Sequence, residues 1–149
     1  MASDTQSKEH VLKKIKAIKQ GPRAMRLYME ICAKCGTCSL QCHISTASGE
    51  KRLNPAGRSD LIRGLYKKYN TTSGKLLGKL VGAREFTPEE LQTWEQELYE
   101  CTACRRCAQF CPYGIDNSVI LRTGRIILNE LKMTPKELIR TMEASEKSG

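Results

Sequence analysis

Apolar positions along this chain recur at three- and four-residue spacing, and they almost never alternate. Val11, Leu12, Ile15 and Ile18 form the first such stripe, with lysines opposite, and Gly21-Pro22 closes it. A short second helix is expected from Met25 to Ile31. Leu61, Ile62, Leu65 and Tyr66 mark a third over Arg58 to Tyr69, entered through a turn at Asn54-Pro55-Ala56-Gly57. Thr87-Pro88-Glu89-Glu90 reads as a helix start, with Thr87 as N-cap, Pro88 in the first helical position and Glu90 completing a capping box. Leu91, Trp94 and Leu98 carry that helix on to Cys101, and a tryptophan on such a stripe reads as core. Asp116 or Asn117 caps a helix through Val119, Ile120, Ile127 and Leu131. Thr134-Pro135-Lys136-Glu137 repeats the capping signature ahead of a stripe of Leu138, Ile139 and Met142. Residues 70–86, with GKLLGKLVG, read as a basic loop or a short helix. No segment reads as a strand, so the predicted fold class is all-α.

Composition narrows the function classes. A length of 149 residues suits one domain, and two Phe with one Trp make a thin aromatic core. No apolar run approaches the roughly 20 residues of a membrane span, and MASDTQSKEH shows no apolar signal segment. The expectation is therefore a soluble, cytoplasmic protein with no transmembrane segment. The formal charge is +9. A nucleic-acid partner would need basic residues interleaved with stacking aromatics, which are too few here. Lys13, Lys14, Lys16 and Lys19 read instead as the solvated face of the first helix. An acidic protein partner is the better reading, with no nucleic acid. Neither Gly-Lys pair has the spacing of a P-loop.

The candidate chemistry lies in the cysteines. All eight fall into two copies of Cys-x2-Cys-x2-Cys-x3-Cys: Cys32, Cys35, Cys38 and Cys42, then Cys101, Cys104, Cys107 and Cys111, the second copy followed by Pro112. This is the ligand spacing of a pair of [4Fe-4S] clusters. Three thiolates on one tight turn cannot easily supply the fourth corner, and in two-cluster ferredoxins the fourth cysteine of each motif serves the other cluster. Cys32, Cys35, Cys38 and Cys111 are thus expected to hold one cluster, and Cys101, Cys104, Cys107 and Cys42 the other. Such crossing would couple cluster insertion to folding, leaving the apoprotein poorly folded. Zinc prefers two separated Cys or His pairs, and disulfides need an oxidising compartment. Two oxidised cubanes with their thiolates would bring the charge to about +5. Lys34, Arg105 and Arg106 are candidate cations beside the clusters, Gly36 a turn residue that brings N–H groups to sulfur, and Trp94 an alternative cluster shield. No nucleophile and base constellation and no dinucleotide fingerprint is visible, so no catalytic residue is assigned.

The spacer of 58 residues between Cys42 and Cys101 is helical and far longer than that of a short bacterial ferredoxin. Through CAKCGTCSLQC at 32–42, NPAGRSDLIRGLY at 54–66 and WEQELYECTACRRCAQFCPYGID at 94–116, the chain resembles the α-helical ferredoxins, above all the small C subunit of heterodisulfide reductase. His43 replaces the proline usual in that family after the fourth ligand, and could tune a cluster or simply fill a turn. The resemblance implies a ferredoxin domain at 23–131, with a tail and amphipathic helix at 1–22 and a C-terminal helix at 132–149. It further implies electron transfer in sulfur metabolism between an A-type flavoprotein subunit and a B-type cysteine-rich subunit, the latter a separate chain. Other readings are a free-standing dicluster ferredoxin and a zinc-stapled basic interaction module.

Overall fold

Asn54 and Asp116 open the two helices around which the molecule is organised. In this computed structural model, which describes residues 2–148, the Asn54 side chain accepts from Gly57 N at 2.5 Å and Pro55 takes the first helical position. The Asn-Pro-Ala-Gly segment is therefore the first turn of α5 (Pro55–Asn70), where the sequence suggested a turn ahead of the helix. Asp116, of the two candidates, is the cap of α9 (Asn117–Glu130): its Oδ1 accepts from Ser118 N at 2.9 Å. The two helices pack together, joined by a buried bond from Ser59 Oγ to Asn117 Oδ1 at 2.8 Å.

Around this pair, α1 (Ala2–Ala17) lies along α5, α2 (Arg23–Glu30) meets both central helices, and α7 (Pro88–Tyr99) packs on both. Their stripes interdigitate. Val11, Ile15, Met29, Ile62, Leu65, Trp94, Leu98, Ile120 and Leu128 have no exposed surface, which follows from apolar residues at helical spacing on five facing helices. Trp94 is core, as its stripe implied. At Gly124 a Cβ would stand 2.6 Å from Leu98 Cδ1 and 2.7 Å from Ile62 Cδ1, so three helices converge where α9 has no side chain.

Charge also fixes the layout. Glu130 on α9 binds Lys14 at 2.6 Å and His10 at 2.7 Å, so Lys14 bridges α1 to α9 while its side chain stays exposed to solvent. Lys13, Lys16 and Lys19 are exposed as expected. The helix starting at Pro88 is where the sequence put it, but the capping box does not form. Thr87 makes no side-chain cap bond, Glu89 takes up its hydroxyl, and half-buried Glu90 lies 3.7 Å from Arg84. Residues 70–86 form α6 (Thr72–Leu77) and a 3-10 turn at Gly78–Val81, with Thr71 as cap through its bond from Gly74 N. Short helices α3 (Thr37–Gln41), α4 (His43–Ser48) and α8 (Arg106–Gln109) border the cysteine turns, and α10 (Lys136–Ser148) ends the described chain. No strand occurs among the described residues, in keeping with the all-α expectation.

Candidate iron-sulfur centre

The chain folds as two similar halves, each built to aim a cysteine turn. In each, a helix (α2 or α7) runs into the first cysteine, a short helix (α3 or α8) separates the third from the fourth, and a capped long helix (α5 or α9) follows. An arginine on the long helix holds the carbonyls at the end of the first one. Arg125 donates to Leu98 O at 2.5 Å and to Cys101 O, while its guanidinium lies 5.1 Å over the Tyr99 ring; Arg63 donates to Tyr28 O at 3.4 Å. These carbonyls lie at or just past the helix C-termini, where intrahelical donors run out. Neither arginine was singled out from the sequence, because their targets lie 27 and 35 residues away.

The turns match as well. Between the first and second cysteines, Lys34 and Ala103 have φ of 53° and 55°; between the second and third, Gly36 and Arg105 have φ of 83° and 61°. Left-handed backbone at both positions wraps each loop around its three cysteines and turns N–H groups inward, at a cost for the non-glycine residues that packing must offset. Ala103 N accordingly lies 3.4 Å from Cys101 Sγ.

Across the middle, α3 packs on α8, and this brings distant cysteines together. Cys32, Cys35, Cys38 and Cys111 line one cavity. Cys42, Cys101, Cys104 and Cys107 line the other. Each cavity thus takes three cysteines from one motif and the fourth from the other. Cys38 and Cys42 are buried while Cys35 and Cys104 are exposed, so each cavity has one corner at the surface. None of the eight forms a disulfide.

The surroundings suit an anionic group held by sulfur. Both long helices begin at the cavities: Ala56 and Asn117 line the first, Pro55 and Ser118 the second, placing positive helix ends beside them. Burial pushes the Cys107 thiol up to about 12 and also raises Cys38, whereas the Thr37 hydroxyl, 3.4 Å from Cys35 Sγ, lowers Cys35. The buried thiols therefore keep their protons until a metal displaces them. Cys38 lies on α3 and Cys107 on α8, and these two helices pack on each other, so the two cavities adjoin. Four thiols around each cavity are the donor set of a cubane cluster; among the described residues no three metal-binding side chains converge closely enough for a single ion.

Two cations singled out from the sequence are ion-paired, Lys34 with a carboxylate it shares with buried Arg63. Lys34 binds Asp60 at 2.8 Å, and Arg105 binds Asp116 through Nη2 at 2.7 Å and Nε at 3.1 Å. Arg106 is exposed at the rim of the second cavity. His43 lies 3.4 Å from Thr102 Oγ1 and 4.0 Å from Cys104 Sγ, against that same cavity. Burial opposes ionisation of Asp116, but its bonds from Ser118 and Arg105 prevail and hold the carboxyl below its ordinary value. Its contribution to stability is therefore full at neutral pH and lost as pH falls through that depressed value. At pH 7, Asp116→Ala removes a helix cap worth about 1 kcal/mol together with the Arg105 anchor. A thermal midpoint lower by at least ~2–4 °C is expected, with Asp116→Asn intermediate.

Comparison with known proteins agrees with this architecture. The family described as 4Fe-4S dicluster domain matches residues 28–115. The chain is 36% identical over 142 residues to the Hdr-like menaquinol oxidoreductase iron-sulfur subunit 2 of Archaeoglobus fulgidus, covering 95% of this chain and 26% of that protein. It is 34% identical over 142 residues to the Hdr-like menaquinol oxidoreductase iron-sulfur subunit of Archaeoglobus profundus, with the same coverage. To a subunit of the dihydromethanophenazine:CoB--CoM heterodisulfide reductase of Methanosarcina barkeri it is 34% identical over 88 residues, 59% of this chain and 21% of the other. The chain spans about a quarter of the length of the two Archaeoglobus relatives. No solved structure matches it significantly.

Proposed function

The chain belongs to the 4Fe-4S dicluster domain family, and on that premise we propose that it is the electron-transfer component of a heterodisulfide reductase-like complex. In this reading Cys32, Cys35, Cys38 and Cys111 hold one cluster and Cys101, Cys104, Cys107 and Cys42 the other. Each cluster would supply a one-electron redox centre whose potential the protein sets through hydrogen bonds, charge and exposure. The observation that carries the proposal is the pair of adjoining four-cysteine cavities, each open to the surface at one corner, Cys35 or Cys104. The chain's own residues then divide the work. Left-handed turns aim the sulfurs, helix ends balance negative charge, and the α5 and α9 pair keeps the two sites side by side.

The partners proposed are a B-type subunit with cysteine-rich, disulfide- or thiol-active domains and an A-type flavoprotein. Quinol as the donor in place of flavin is a second reading, favoured by the names of the two Archaeoglobus relatives. Membership of a complex is preferred to a free-standing carrier because α10 buries no side chain. Its Leu138, Ile139 and Met142 stripe is 39–55% exposed, although a four-residue spacing of this kind ordinarily marks a covered face. No helix among the described residues is long and apolar enough to cross a membrane.

A test follows from that stripe. Replacing Leu138, Ile139 and Met142 by serine is expected to leave iron content unchanged and to weaken retention of a B-type subunit in anaerobic co-purification at least tenfold. Full retention by the triple variant, or failure of the native chain to bind and reduce any such subunit, would sink the complex-bound reading in favour of the diffusing carrier.

A further inference from the structure

Arg58 is the cation that the structure leaves unanswered. It follows the Asn54 cap by four residues, in the first turns of α5, and shares the buried stripe of Leu61, Ile62 and Leu65. Only 1% of its surface is exposed, it lines the cavity of Cys42, Cys101, Cys104 and Cys107, and its Nε and Nη2 are buried without a hydrogen-bond partner. A guanidinium cannot shed its proton to escape such a place. An uncompensated buried charge is among the most destabilising arrangements a fold can contain. Among the described residues no carboxylate forms an ion pair with it. Glu97 is near enough to feel its field, but burial pushes that carboxyl above its ordinary value, with Arg52 and Arg84 counting ahead of Arg58 among the charges that oppose the shift.

The first cavity has no counterpart. Its neighbouring cation, Lys34, is half exposed and engaged by Asp60. In the matching half of the fold, the residue four places after the Asp116 cap is Ile120, fully buried and apolar. The similarity of the halves makes this difference informative, because the matching helix position carries a fixed positive charge in one half and a hydrocarbon in the other, and among the described residues no buried cation lines the first cavity.

We propose that Arg58 contacts the cluster of the second cavity, donating charge-assisted hydrogen bonds from Nε and Nη2 to its sulfur atoms and making it the more easily reduced of the two. The inference rests on the ligand sets proposed above. Adding an electron adds negative charge, and a buried cation in a low dielectric favours that more strongly than any exposed or paired one. Arg105, exposed and bound to Asp116, has little net field to offer there. An electron arriving on the chain therefore rests on the second cluster, at the Cys104 side, before it leaves.

The test is an anaerobic redox titration of the intact, cluster-loaded chain followed by electron paramagnetic resonance, with Arg58→Met and Arg58→Lys. Cys104→Ser identifies which signal belongs to the second cavity. At a fixed ambient potential, Arg58→Met is expected to lower the reduced-to-oxidised ratio of that cluster at least tenfold, about 59 mV for a one-electron couple. The other cluster should keep its potential, and Arg58→Lys, with the charge but not the planar fork, should fall between. Selective loss of the second cluster in Arg58→Met, restored in Arg58→Lys, would equally place the guanidinium at that site. Unchanged potentials, equal shifts in both clusters, or loss of both clusters in every variant would overturn the proposal. Fewer than two clusters in the unaltered chain would instead overturn the ligand assignment, whatever Arg58 does.

Discussion

Cys42→Ser and Cys104→Ser, although they lie in different motifs, are expected to erase the same resonance signal, while Cys35→Ser and Cys111→Ser erase the other. The native chain should carry about eight irons and eight sulfides, the stoichiometry of two cubanes, and each variant should lose up to about half of both. The grouping follows from the packing of α3 on α8, which carries Cys42 and Cys111 across to the opposite motif's cavity. A simple two-knuckle arrangement would group Cys42 with Cys35 instead, and that result would refute the crossing. One or two zincs with no sulfide would reject the cluster reading altogether and return the zinc-stapled module to consideration. Iron and sulfide analysis beside the spectra separates these outcomes.

The largest effect on stability is expected at Trp94. Its side chain is fully buried among α7, α5 and α9, and truncation to alanine should cost ~3–5 kcal/mol through lost transfer energy and the cavity left behind. Against a typical total of ~5–15 kcal/mol, that endangers folding. A thermal midpoint lower by roughly 10–20 °C is the corresponding readout. Trp94→Phe should recover most of the loss, because Nε1 has no hydrogen-bond partner and only ring volume is given up. A Trp94→Ala protein with an unaltered midpoint would mean that the clusters, and not the helix bundle, dominate stability. That alternative has substance, because so few aromatic residues leave room for clusters to stand in for a core. The structure nonetheless has an apolar bundle of α1, α2, α5, α7 and α9 beside the cysteine cavities.

Helix positions were legible wherever an apolar stripe and a stop signal stood within a few residues of each other. Gly21-Pro22 ended the first helix region, Pro88 began α7, and an acidic or amide cap began α9. Cap details were less legible. Thr87 and Glu90 have the letters of a capping box, but Glu90 is drawn toward Arg84, a tertiary partner the local pattern cannot display. Thr134 similarly donates to Asn129 Oδ1 at 3.0 Å. Arg58 was readable in principle, since a cation in register with Leu61, Ile62 and Leu65 breaks the rule for a buried stripe. What could not be read was that nothing would pair with it.

By itself the sequence determined the helical class and the kinship, because both are written in short-range spacing: three to four residues for the stripes, and two or three between cysteines. It also determined which atoms are available to hold metal. Only the tertiary structure decided which charges matter, since Coulomb interactions depend on separation in space and on water. Lys34 and Arg105 are exposed to solvent and paired with Asp60 and Asp116, whereas Arg58 is stripped of solvent and left beside sulfur. It also decided how the halves meet, because bringing Cys42 to Cys101 depends on packing between helices that lie far apart in the chain.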